Sequence, residues 1–180
     1  MSLRAGTHRL GPEQGKLELR TYREGMAQKV GHDLVIDVTQ WEATVEVGDE
    51  GSPSSIRLEV DPRSLQVRQG LRGLKPLSDR DRAQIHRDID GKILHGRPIS
   101  FRSSAIEPTD GRLTVRGELT LAGATRPVTY QLEVTEGRVR ATLPVTQSDW
   151  GIKPYRGFMG ALKVRDTVEL SIDARLPRET

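Results

Sequence analysis

The sequence predicts an all-β protein, an antiparallel up-and-down barrel of about eight strands with one amphipathic helix. Three observations carry that prediction. First, stretches such as 113–121, 128–134 and 168–176 alternate apolar and polar residues. A strand sends successive side chains to opposite faces, so this period gives each strand one apolar face and one wet face. Many such strands in 180 residues must pool their apolar faces, either as a sandwich or as a rolled sheet. Second, the apolar parity slips by one residue inside the segment 34–47. Leu34, Ile36 and Val38 share one phase, while Trp41, Ala43, Val45 and Val47 share the other. A β-bulge near Thr39 and Gln40 would bend one long strand so that both halves face the same core, which favours a barrel. Third, one segment alone has helical spacing, with Ile85, Ile89 and Ile93 forming a stripe on an otherwise charged background.

Each element follows from local signals. Residues 17–21 read as the first strand, ended by Glu24 and Gly25, and 26–31 as a connector with at most one helical turn. After the bent strand, 49–53 is a turn, 56–60 a strand and 64–67 a further short one. Ser78 followed by Asp81 marks a helix start, with the serine as cap, and the helix should run for about 15 residues, weakened by Gly91 in its last turn. Pro98 closes that approach and 99–103 returns to strand. Strands at 113–121, 128–134 and 139–146 follow, with a tight turn at Glu136 and Gly137. Residues 149–160 form a loop, and 168–176 closes the chain. No linker or repeat interrupts the run, so residues 1–180 read as one domain.

Composition narrows the function. Charged residues make up 29% of the chain, but the formal net charge is only +3 and aromatics amount to 4%. Nucleic-acid binders concentrate their bases on one face and add aromatic platforms; neither is present, so no nucleic-acid partner is expected. There is no cysteine, which removes disulfides, thiolate metal sites and a cysteine nucleophile. No segment approaches the roughly 18 apolar residues of a membrane span, and no signal-peptide run stands at the start, so the expected location is the cytoplasm. His8, His32, His86 and His95 are scattered without metal-ligand spacing. No Gly-x-Ser-x-Gly elbow occurs, and residues 70–75 lack the end of a phosphate loop. Neither catalysis nor a cofactor or metal is expected.

Several segments resemble the YceI-like family. Leu119-Thr-Leu-Ala-Gly-Ala-Thr-Arg-Pro-Val128 is similar to its L-T-I-x-G-V-T-R-P-V signature, and 99–103 to its P-x-I-x-F-x-S strand. Ser148-Asp-Trp-Gly-Ile152 resembles its R-x-D-F-G-I segment, with Trp150 where phenylalanine is usual, and Val30-Gly-His-Asp33 resembles a Gly-His-Asn/Asp element of one branch. Two positions depart from the pattern: Gln14 or Gly15 stands in place of a histidine, and Leu19 in place of a phenylalanine. The resemblance implies a lipocalin-like barrel that binds a long isoprenoid or other amphiphilic lipid.

The residues themselves leave two readings open, a barrel filled by side chains and a barrel with a cavity. Bulky filling is scarce, and Gly117, Ala141, Ala161 and Ala174 stand where large groups would fit. An apolar space would accept an apolar tail. On that reading Ile36, Trp41, Phe101, Leu113, Val115 and Leu119 are the candidate wall, and Ile85 and Ile89 a helical lid or plug. Trp150, Tyr155, Arg156 and Phe158 belong to the loop at the mouth, where Lys153, Tyr155 and Arg156 would meet a polar or pyrophosphate head. The expected function is non-catalytic sequestration or carriage of a long-chain isoprenoid or fatty ligand. One rival is a filled barrel that serves as an interaction protein, a homodimer through exposed strand edges. Another is an enzyme with His32 and Asp33 as its acid–base pair.

Overall fold

In the computed structural model the described residues are 3–157 and 162–176. One large antiparallel sheet contains eleven strand segments in the order β1-β5-β6-β8-β9-β10-β11-β14-β2-β4-β7. The segments are β1 (Gly6–Leu10), β2 (Gly15–Thr21), β4 (Asp33–Val38), β5 (Trp41–Val47), β6 (Pro53–Val60) and β7 (Leu65–Leu71) in the first half. The second half supplies β8 (Ile99–Thr109), β9 (Arg112–Leu121), β10 (Ala124–Thr135), β11 (Arg138–Thr146) and β14 (Thr167–Arg175). A separate three-stranded patch joins β3 (Arg23–Glu24), β12 (Arg156–Gly157) and β13 (Leu162–Val164).

The sheet is rolled because three pairs of segments are single runs bent at a corner. β4 and β5 are separated only by Thr39 and Gln40, yet β4 pairs with β2 and β7 while β5 pairs with β1 and β6. β6 passes into β7 and β1 into β2 at the same level. With three mergers, the eleven segments make eight staves, and the β14–β2 pairing closes the circle. The corner is tied by backbone bonds from Thr39 N–H to Ser64 O (2.9 Å) and from Asp61 N–H to Gln40 O (3.1 Å). The predicted parity slip is therefore this corner. The ladder irregularities of these strands lie elsewhere, at Val35/Ile36 against β7 and at Glu46/Val47 against β6.

Three other expectations need correction. β1 was not anticipated, since Thr7, His8 and Arg9 show no apolar alternation; Leu10 alone of this segment is buried. β8 continues to Thr109 rather than ending near 103. The helix begins as expected, with Ser78 and Asp81 forming a reciprocal capping box, but α1 (Asp79–Asp88) gives way to a π-helical turn at Ile89–Leu94 containing Gly91. The hydrogen bonds with Ser78, backbone first, hold the Asp81 carboxyl below its ordinary range.

Tight reversals hold the β8–β11 meander. Asp110-Gly111, Ala122-Gly123 and Glu136-Gly137 all have positive φ at both residues, the requirement of a turn whose twist matches its strands. At the helix end the outer edge of β7 has no strand neighbour among the described residues, and α1 packs against β7 instead. His86 Nδ1 donates to Leu65 O (2.8 Å), and Arg82 Nη1 donates to Arg68 O (3.0 Å). Edge carbonyls are thus satisfied by side chains, as buried or half-buried backbone groups must be.

Candidate functional site

Among the described residues, two connected chambers lie in the barrel interior. The outer one, at the helix end, has a volume of about 770 Å³; the inner one has about 100 Å³. Leu17, Leu58, Leu119 and Leu170 line both, so these four leucines form a neck between them. The neck follows from register: Leu58, Phe101 and Leu119 are direct cross-strand partners, and β14 lies beside β2. Inward-pointing Leu34, Ile36 and Val38 of β4 supply one wall of the outer chamber, while Ala43 and Val45 of β5 supply the inner one. The corner at Thr39 and Gln40 lets one run serve both.

The helix is apolar on the side that faces the chamber. Ile85, Ile89 and Ile93 all line the outer chamber from the helix. The rim is polar and mainly cationic: Lys75, Lys92, Lys153 and Arg156 line it, against Asp81 and Asp88. Both acids are occupied, Asp81 by the Ser78 cap and Asp88 by Lys92 at 3.1 Å and by the Gln84 amide at 2.9 Å. Lys92 Nζ also lies 5.9 Å from the centre of the Tyr155 ring. Tyr155 and Arg156 are positioned by the small β3–β12–β13 patch, where Val164 N–H donates to Tyr155 O (3.0 Å).

The candidate residues divide. Ile36, Leu119, Ile85, Ile89, Tyr155 and Arg156 line the outer chamber, as does Lys153. Phe101 lines the inner one. Trp41, Val115 and Trp150 are buried in the packed core and Leu113 packs against it; none of the four faces either chamber. Trp150 acts as a bolt instead, its indole N–H donating to Leu119 O at 2.9 Å. Phe158 and Ala161 lie outside the described residues. Of the small residues, Ala141 does open space in the inner chamber. Gly117 does not. A Cβ there would sit 2.6 Å from the Phe101 ring, which already fills that position. Ala174 packs against Gly15 in the same way.

His32 and Asp33 do not meet as an acid–base pair. His32 Nε2 donates to Lys75 O (2.6 Å) and its ring lies over Gly73, where any Cβ would collide with it. Asp33 alternates away from the lumen; its carboxylate accepts the Arg23 backbone N–H at 2.8 Å and faces Arg72 at 3.6 Å. Among the described residues, no cluster of three or more His, Asp or Glu is arranged to hold a metal.

Sequence reasoning missed Leu17, Leu58 and Leu170, although each shares the inward parity of its strand. It also missed Tyr130, the only polar side chain that lines the inner chamber among the described residues. Tyr130 contacts Phe101 edge-to-face, with centroids 5.4 Å apart, and burial pushes its phenol well above the ordinary tyrosine range. The group is neutral at any physiological pH.

The YceI-like domain pattern matches residues 16–176, nearly the whole barrel. The chain belongs to the YceI-like family. Solved structures share the fold of this YceI-like protein at low identity. Burkholderia cenocepacia BcnA superposes with a TM-score of 0.64 at 17% identity, over 88% of this chain and 94% of that one. The Campylobacter jejuni YceI protein gives 0.59 at 14% identity, over 80% and 85%. A search of curated proteins finds no match to the chain. Among the described residues no helix is long and apolar enough to cross a membrane.

Proposed function

We propose that this YceI-like protein binds and carries a long-chain amphiphilic lipid, an isoprenoid or a fatty chain, without transforming it. The observation that carries the reading is the outer chamber of about 770 Å³, apolar within and cationic at its rim. A cavity of ~150 Å³ takes one benzene ring, so this chamber has room for about 20–30 carbon atoms. A tail of some 20 carbons gains about 16 kcal/mol at about 0.8 kcal/mol per methylene. That exceeds an association cost of about 4–15 kcal/mol. Exclusion of the tail from water therefore suffices, and the rim needs only to fix the head.

Lys75, Lys153 and Arg156 suit a phosphate, pyrophosphate or carboxylate head, because charge-assisted bonds at a partly desolvated rim are the stronger kind. The separate partners of the two side chains, Lys75 O for His32 Nε2 and the Arg23 N–H for Asp33, speak against the catalytic rival. Native mass spectrometry of the purified protein, with organic extraction of the same sample, tests the proposal. A co-purified lipid, or saturable binding of a long-chain fluorescent probe, is expected. A protein that yields no lipid and binds no such probe overturns it.

A further inference from the structure

We propose that the rim of the outer chamber is a docking surface for an anionic lipid bilayer, through which the chamber loads and discharges. The inference rests on the reading that the chamber takes a lipid tail, but its supporting observation is separate. Large apolar side chains that are exposed among the described residues are Met26 (95%), Leu74 (71%), Val30 (44%), Tyr155 (44%) and Leu71 (38%). All five belong to the mouth end. Val30 and Tyr155 line the outer chamber itself. Leu74 N–H donates to Lys29 O (3.2 Å), which ties the 71–77 loop to the segment carrying Met26 and Val30. Leu71 ends β7 opposite Asp33, beside His32 of the chamber wall. Among the described residues no other large apolar side chain is exposed.

Single exposed apolar residues need no explanation, but several gathered near one opening do. The charges select the occupant. Lys75, Lys92, Lys153 and Arg156 line the same rim, and Lys29 lies in the Met26 loop. Lys92 and Asp88 cancel as a pair, and Asp81, kept ionised under its Ser78 cap, offsets one further charge, so Lys75, Lys153 and Arg156 with Lys29 leave the rim net cationic; Asp79 and Glu24 are nearby in the chain but do not line it. Apolar anchors beside cations match the interface of a bilayer with anionic head groups, where each Lys or Arg near the surface strengthens attachment roughly fivefold. A protein partner would gain from the apolar anchors, but nothing in the rim's charge would favour it over a lipid surface. Docked in this way, the opening meets the acyl region, and a tail passes between bilayer and chamber without crossing water.

Cosedimentation with phosphatidylcholine vesicles, with and without about one-third phosphatidylserine, tests this. The full chain is expected to bind the anionic vesicles, weakly or not at all the neutral ones, and to release in high salt. The variant Met26→Ser/Leu74→Ser touches only exposed side chains that do not line the chamber. It should lose at least tenfold in vesicle affinity while its affinity for a long-chain fluorescent probe in solution stays unchanged. No binding to anionic vesicles, or binding by the double variant equal to the parent, overturns the docking surface. Vesicle binding by a protein that takes no probe would leave the docking surface standing and remove the carrier reading instead.

Discussion

Stripping the apolar underside of the lid should loosen the hold on a tail by a calculable amount. Ile85, Ile89 and Ile93 line the outer chamber and are each only half-buried in the protein. Fully burying one such side chain is worth about 1.5–3 kcal/mol, and roughly half of that remains to be gained when a tail covers it. Each isoleucine thus contributes about 1 kcal/mol to binding, and the variant Ile85→Ala/Ile89→Ala/Ile93→Ala should lose about 3 kcal/mol, roughly 150-fold in Kd. Alanine is the best helix former, and the Ser78–Asp81 cap is untouched, so the lid itself should persist in circular dichroism. Titration with a conjugated polyene fatty acid, whose emission rises in dry surroundings, reads the affinity directly. A folded triple variant within about threefold of the parent would refute the lid as part of the binding wall.

Further outcomes concern the barrel that supports the chamber. Gly117→Ala puts a Cβ against Arg102 O and 2.6 Å from the Phe101 ring; overpacking of this kind should cost about 1–3 kcal/mol in urea unfolding, and no loss would mean Phe101 has room to move. Trp150→Phe removes the buried bond to Leu119 O, which should lower stability by about 0.5–1.5 kcal/mol in the same measurement. The hydrogen bond from Arg138, 2.7 Å from Nε to Oδ1, holds the Asp173 carboxyl below its ordinary range. A depressed carboxylate stabilises the fold above its unfolded pKa and loses that contribution as pH falls through the folded value. The parent should therefore exceed Asp173→Asn slightly at neutral pH, with the gap closing in acid; a gap that widened in acid would contradict the pairing. The pair is well exposed, so the effect is small.

Much of the architecture was legible because strand alternation is a local signal. The inward phase of 34, 36 and 38 and of 43 and 45 told correctly which atoms face the lumen, and the parity slip located the corner. What alternation cannot tell is how far an inward side chain reaches. Gly117 reads as a gap until its neighbour Phe101 is seen lying across it. Trp41 and Trp150, the largest residues in the chain, read as cavity wall and mouth loop but are buried in the packed core. The strand β1 escaped because its outward and inward positions carry no contrast. Two of the rim lysines escaped for another reason: Lys75 and Lys92 come from a loop and a π-helical turn whose relative placement depends on long-range bonds such as His32 to Lys75.

The side-chain fastening of β7 gives the wall an expansion joint. A circumference closed everywhere by main-chain ladders has a fixed gauge, since widening it would break several strand bonds at once. Here the joint between β7 and the helix is held by Arg82 and His86 reaching carbonyl oxygens, so two long, jointed side chains can lengthen their span while every ladder stays whole. If the outer chamber carries a lipid as proposed, this joint is where it would widen for guests of unequal girth, while the ladders keep the inner half at one width.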